Sequence, residues 1–249
     1  MIPYIEWKTI TLGPLTLHVW GLFVALGFLV AALVAGRHAK RNGLRAEIIY
    51  DLAAWMVLAG MVGGRLGHVL FYEFPYYLAH PVEVFAIWEG GLSMFGGLIA
   101  CAIVGIGYLR RKHVDVWRYA DDAAFGLPFG MMVGRIGCFL IHDHPGTATD
   151  FALGVQYPDG VVRHDHGLYE VINGAFMAVV FVLLARRRPP VGTFIGVFSL
   201  WYGLFRFATD FWRLVDTRYL GLTPGQYLGI ALAIFGGAVL WITHRQKRQ

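Results

Sequence analysis

Gly134-Arg135-Ile136-Gly137-Cys138-Phe139-Leu140-Ile141-His142-Asp143-His144-Pro145-Gly146 begins inside an apolar run and ends among titratable groups. An arginine at the centre of a membrane helix costs about 2.5–3.5 kcal/mol on insertion scales. Arg135 is therefore expected to face a polar cavity or an anionic partner. Gly134 and Gly137 remove side-chain bulk beside it, so a neighbouring helix or a ligand can approach the backbone closely. Pro145 stops a helix arriving from the apolar side. The remaining sequence reads as a membrane scaffold that carries other polar groups to this point.

Outward from that stretch, 249 residues with 57% hydrophobic and 15% charged content exclude an ordinary soluble domain. The mean hydropathy of +0.56 and the 32 glycines point to an all-α polytopic membrane protein. Cys101 and Cys138 both lie in apolar runs, so no disulfide framework is expected. The first sixteen residues hold one Lys and one Glu, without a basic segment before the apolar run, and no cleavable signal peptide is expected.

Seven spans are predicted, at about 17–35, 50–71, 91–109, 119–141, 168–185, 192–209 and 226–243. Asp51, Arg65, Asp121, Asp122 and Arg135 interrupt the second and fourth. Basic residues gather after spans one, three, five and seven: Arg37, Lys40, Arg41 and Arg45; Arg110, Arg111, Lys112 and Arg118; Arg186 to Arg188; Arg245, Lys247 and Arg248. Seven spans put all of them on one side, which the positive-inside rule makes cytoplasmic. The expected topology is N-terminus outside and C-terminus cytoplasmic. It assigns the net charge of +5 to topology rather than to nucleic acid.

The other basic residues are Lys8, Arg65, Arg135, Arg163, Arg206, Arg213 and Arg218, in the outer parts of spans or in outward loops. A lipid phosphate near the outer leaflet would account for them, since guanidinium matches phosphate in a bidentate fashion. Ion pairs serving as structural ties are the alternative, and for Arg65 the two readings stand level. Residues 72–90 are aromatic and lack Lys and Arg, as expected of a segment lying at the membrane interface. Residues 142–167 are expected to form a small outer cap, with a short strand near Gly154-Val155-Gln156-Tyr157. Without repeats or a soluble second segment, residues 1–249 are expected to be a single domain.

Four constellations could carry chemistry. Two His-Asp-His triplets, His142-Asp143-His144 and His164-Asp165-His166, flank the cap. They could act as acid–base or substrate-contacting groups, ligate a transition metal, or simply cap helices. Arg206, Asp210 and Arg213 are spaced to share one helical face, so that Asp210 could hold one arginine while the other meets an anion. Gly90-Gly91-Leu92-Ser93-Met94-Phe95-Gly96-Gly97 suggests a tight backbone passage, and Leu168-Tyr169-Glu170 brings a carboxylate to the start of span five.

Gly63-Gly64-Arg65-Leu66-Gly67, Trp88-Glu89-Gly90-Gly91-Leu92-Ser93, Gly134-Arg135-Ile136-Gly137, Leu168-Tyr169-Glu170, Tyr202-Gly203-Leu204-Phe205-Arg206, Phe211-Trp212-Arg213 and Gly225-Gln226 occur in the order and spacing of one family. The chain resembles the prolipoprotein diacylglyceryl transferases over about residues 15–240, as a divergent member. The resemblance implies a monomeric transferase of the bacterial inner membrane with its active site toward the outer leaflet. It would move a diacylglyceryl group from phosphatidylglycerol to the lipobox cysteine of a prolipoprotein signal peptide and release glycerol phosphate. Arg135, Arg206 and Arg213 match the family's functional arginines, and Glu170 and Gly146 also match. No cofactor or metal is implied. The chain departs from the family pattern at Cys138 (usually Asn), Asp143 (usually Glu), Phe95 (usually His) and Trp20 (usually Tyr).

Phe95 cannot take a proton, so another group must serve if the reaction is the same. The expected arrangement has Arg135 and Arg206 on the phosphate of an anionic phospholipid. His142 or His144 acts as base, oriented by Asp143 or Glu170. Arg65, Arg213, Gly97, Gly134, Gly146, Asp210, His164 and His166 are expected to contribute to substrate binding. Two alternatives stand beside this: a paralogue attacking such a lipid with another acceptor or water, with or without metal help from the His triplets, and a non-catalytic lipid-binding membrane protein.

Overall fold

A computed structural model describes residues 1–214 and 218–246, so Lys247 and Arg248 of the basic C-terminus lie outside the described residues. The seven predicted spans appear as seven long helices: α1 (Val19–Arg41), α2 (Ala46–Phe71), α4 (Met94–Arg111), α5 (Val116–Ile141), α6 (His166–Arg186), α7 (Thr193–Thr209) and α8 (Pro224–Gln246). Helix α3 (Phe74–Ala79) and two 3₁₀ turns, Pro81–Phe85 and Ile87–Glu89, occupy the predicted interfacial segment. All the long helices except α7 are long and apolar enough to cross a membrane. Leu26, Leu29 and Leu33 on α1 and Leu58, Val62 and Leu66 on α2 are exposed, as lipid-facing side chains are. The protein is a polytopic helical membrane protein.

Helix α4 starts three residues after the predicted edge. Gly90 and Gly91 have φ of +88° and +68°, which no helix accommodates. Ser93 then caps the helix by accepting from the Gly96 N–H at 3.3 Å.

The chain divides into two compact units, residues 1–38 with 120–249, and residues 39–119. In the larger unit α1 and α5 pack backbone to backbone. A methyl group added at Gly27 would lie 2.6 Å from the Gly130 carbonyl oxygen, and one at Gly130 would lie 2.6 Å from the Ala31 side chain. Such close approach between membrane helices gains dispersion contacts that bulkier residues would forbid. Helices α7 and α8 meet in the same way at Gly203 and Gly229.

At the end of this unit where α7 begins, Ala124, Phe125, Met177, Phe181 and Phe194 form a buried cluster. The acids that weaken the fourth span are satisfied here. His38 Nδ1 is 2.7 Å from Asp122, and Asp121 accepts from the Ile195 N–H at 2.9 Å, satisfying a donor in the first turn of α7.

The expected cap is a sheet. Strands β1 (Ile2–Pro3), β5 (Val155–Gln156), β6 (Val162–Asp165) and β4 (Pro145–Ala148) lie in that order, with β1 parallel to β5 and the other pairs antiparallel. The predicted strand near residue 155 is present, whereas β1 has no sequence signal because two residues carry no period. A hairpin of β2 (Thr9–Leu12) and β3 (Leu15–His18) leads into α1, and the Trp7 N–H donates to the Leu140 carbonyl at 2.8 Å. The membrane-spanning part is helical, as expected, and the six short strands among the described residues all lie in the larger unit.

In the smaller unit α2 packs on α4 through Gly60, Gly63, Gly67, Gly96 and Gly97. Gly97, expected at substrate, is a packing residue here: a methyl on it would lie 3.2 Å from the Gly60 carbonyl oxygen.

Candidate active site

Arg135 lies two helical turns before the end of α5. Its Nη2 is 3.9 Å from Glu170 Oε1 on the first turns of α6, and its Nη1 is 3.9 Å from Cys138 Sγ. Arg206, near the end of α7, brings its Nη1 to 3.8 Å from the same Glu170 oxygen. The two arginines therefore share one carboxylate and one space. Tyr202 donates to that oxygen at 3.4 Å, while Glu170 Oε2 is buried without a hydrogen-bond partner among the described residues. Two guanidinium groups thus meet at one carboxylate in a poorly hydrated place, where charge interactions are far stronger than in water.

Asp210 follows α7 in a 3₁₀ turn (Asp210–Trp212) and is fully buried. Its Oδ1 is 3.1 Å from Arg206 Nη2 and 3.9 Å from Arg213 Nε, so it meets both arginines, where the spacing suggested that it would hold one. Arg213 lies past the helical face, in extended backbone that bridges to Gly146. A methyl on Gly146 would lie 2.8 Å from the Trp212 carbonyl oxygen, which explains a glycine there. The start of α8 completes the support. Thr223 and Gln226 form a capping box: Thr223 Oγ1 accepts from the Gln226 N–H at 3.1 Å, and Gln226 Oε1 accepts from the Thr223 N–H at 2.9 Å. The Thr223 hydroxyl in turn donates to Asp210 Oδ2 at 2.6 Å. Sequence reasoning missed Thr223 and Tyr202 as partners of the charged cluster. The T-x-x-Q pattern before an apolar run, and a tyrosine four residues before Arg206, were the available signals.

A cavity of about 520 Å³ opens beside Arg135. Val24, Phe28, Leu127 and Met131 make an apolar stem, and Arg135, Cys138, Asp143 and His144 make a polar end; Trp20 and Gly134 also line it.

The histidines separate. Helix α5 ends at Ile141, and His142 takes φ of +48°, turning its side chain away from the cavity. His142 Nδ1 lies 2.6 Å from Asp165 Oδ2 and its Nε2 lies 3.2 Å from the Ile5 carbonyl, so both ring nitrogens are engaged in the cap. Asp165 also caps α6, accepting from the Leu168 N–H at 3.0 Å. His164 contacts Tyr169 at 2.7 Å and stacks on Trp212. His166 is buried, with Nε2 lacking a hydrogen-bond partner among the described residues.

His144, by contrast, faces the cavity, its Nε2 3.6 Å from Asp143 Oδ2. Burial lowers the His144 imidazole and raises the Asp143 carboxyl, in each case against the attraction between them. A neutral imidazole is the form that accepts a proton or a metal. The donor atoms of Cys138, Asp143 and His144 all lie within 4.8 Å of one another, and they are the one potential metal cluster among the described residues.

In the smaller unit Arg65 is buried and committed to a loop. It donates to the carbonyls of Val84 (3.0 Å), Gly90 (2.6 Å) and Glu83 (2.5 Å), and it sits over the Tyr77 ring. That is the structural-tie geometry. Phe95 lies on α4 in this unit.

Taken together, fold and site define a polytopic membrane protein in which Arg135 and Arg206 meet at Glu170 and Arg135 also lines a largely apolar cavity. The family model for prolipoprotein diacylglyceryl transferase matches residues 8–242, and the chain belongs to that family. It is 38% identical to the phosphatidylglycerol–prolipoprotein diacylglyceryl transferase of Solidesulfovibrio magneticus, over 98% of this chain and 96% of that one. It is 36% identical to the Geobacter sulfurreducens protein of the same name, over 98% of each chain. With the Nitrosospira multiformis protein, also of that name, identity is 37% over 98% of this chain and 89% of that one.

Proposed function

We infer that this protein transfers the diacylglyceryl group of phosphatidylglycerol to prolipoproteins. The observation that carries the reading is the convergence of Arg135 and Arg206 on Glu170 Oε1 beside a cavity with an apolar stem. The lipid's chains lie along Val24, Phe28, Leu127 and Met131, and its phosphate sits at the arginines. As the bond from the glyceryl carbon to the phosphate oxygen breaks, charge grows on the phosphate, and preorganised guanidinium groups stabilise it. Glu170, Asp210 and Arg213 keep that pair in place. The acceptor, a lipobox cysteine, loses its thiol proton at the Asp143–His144 pair on the cavity wall. The free thiol's pKa of about 8.5 makes this the step that needs help. The sulfur then bonds to the glyceryl carbon and glycerol phosphate departs.

The same reading places the chain as a monomer in the bacterial inner membrane, one domain of seven spans, N-terminus outside, with the site toward the outer leaflet. The clustering of basic residues after alternate helices supports this topology. Helix α7, at 17 residues, rises about 26 Å, and the 3₁₀ turn after it extends that toward the roughly 30 Å of a bilayer core.

Purified protein given phosphatidylglycerol and a lipobox peptide is expected to yield thioether-linked diacylglyceryl peptide. Headgroup release with no peptide product would support the paralogue with another acceptor. Tight lipid binding without turnover would support a non-catalytic lipid-binding protein.

A further inference from the structure

Cys138, Asp143 and His144 converge on the polar end of the cavity from one short stretch of chain. Cys138 is on the last turn of α5. The left-handed residue His142 bends the chain just past the helix, and the Asp165 carboxylate clamps that bend from β6. The bend returns residues 143 and 144 toward the helix, and the His144 carbonyl is held by the His166 N–H at 3.3 Å. A thiol, a carboxylate and an imidazole are three of the donors that zinc prefers. A catalytic zinc keeps three protein ligands and leaves a fourth position for water or substrate. Tetrahedral bonds of about 2.0–2.3 Å place donor atoms roughly 3.3–3.8 Å apart. The His144–Asp143 pair, at 3.6 Å, already meets that spacing, and no pair in the cluster exceeds 4.8 Å.

Charge permits the ion despite the neighbouring guanidinium. A thiolate and a carboxylate together cancel a dication, and Arg135 faces Glu170 on its other side.

We propose that Cys138, Asp143 and His144 bind a zinc-class divalent ion whose fourth position takes the sulfur of the acceptor cysteine. This rests on the diacylglyceryl-transfer reading and departs from its expectation of a metal-free site. The ion replaces the thiol's proton, which passes to the non-coordinating oxygen of Asp143 and on to water. A metal-bound thiol is deprotonated outright. The sulfur then forms its bond to the glyceryl carbon while the carbon–oxygen bond breaks, and that bond's electron pair leaves with the phosphate at Arg135.

The test uses the full chain in detergent micelles, stripped with a chelator and titrated with Co²⁺ and Zn²⁺. One Co²⁺ per chain is expected, with a thiolate-to-cobalt charge-transfer band and the strong visible absorption of a four-coordinate site. The charge-transfer band should vanish in Cys138→Asn and in Cys138→Ser and persist in Cys101→Ala. Transfer to lipobox peptide should be lost on chelation and return with Zn²⁺. A chain that binds no Co²⁺, or whose band survives Cys138→Asn, overturns the site. Full transfer by metal-free protein overturns the ion's role while leaving the diacylglyceryl-transfer reading intact. Zinc bound through Cys138 in a chain that modifies no peptide leaves the metal site standing and removes the reading beneath it.

Discussion

Arg135 and Arg206, on α5 and α7, approach the same oxygen of Glu170, at 3.9 and 3.8 Å. Neither arginine is within 3.5 Å of that carboxylate, so both keep donors for a second anion between them. Arg135→Ala is therefore expected to lower transfer by about 10²–10³-fold, the effect of removing one preorganised donor. Arg135→Lys should recover little, because an ammonium cannot reproduce the planar fork. Initial-rate assays with phosphatidylglycerol vesicles read this directly, and near-normal activity in either variant would take Arg135 out of the reaction.

His142 and His144 are expected to part company on mutation. His142→Asn removes a buried contact to Asp165, and hydrogen bonds to charged groups contribute about 1.5–3 kcal/mol. It should lower the melting temperature while the folded fraction still transfers. His144→Asn should leave melting nearly unchanged and reduce transfer by about 10²–10⁴-fold. Thermal melts read beside single-turnover rates separate the two, and a reversed pattern would move the chemistry to His142.

Packing of α1 on α5 supplies a test of the fold alone. Gly27→Ala puts a methyl 2.6 Å from the Gly130 carbonyl oxygen, which cannot move without shifting a helix. Overpacking of this kind costs about 1–3 kcal/mol. Gly21→Ala meets nothing within 4 Å and is expected to melt like the parent. Equal melting temperatures for the two variants would contradict the α1–α5 interface.

Stability should also fall on the acid side. Burial lowers the His164 imidazole below its ordinary value of about 6.5, so the unfolded chain binds that proton more readily than the folded one. The contribution is complete above about pH 6.5 and is lost as the pH drops through the folded value. His164→Gln should flatten this part of the melting-temperature profile, and an unchanged acid slope would show that other groups control it.

The sequence by itself determined where the long helices and the short-helix segment between α2 and α4 lie, and singled out Arg135. Those features are written in local composition: apolar runs of bilayer length, basic residues after alternate runs, and a guanidinium too costly to bury without a purpose. The start of α4 was misjudged by a few residues, because hydropathy does not register the positive φ of Gly90 and Gly91. Tertiary structure alone decided which polar groups meet. Two identical His-Asp-His triplets gave no hint that His142 would turn into Asp165 while His144 turned to the cavity. Arg65 and Arg135 read alike as buried cations, yet Arg65 is occupied by loop carbonyls and Arg135 shares a carboxylate with Arg206. The cause is physical: periodicity and hydropathy encode how far a residue is buried, whereas its partner depends on chain distant in sequence, brought near by helix packing.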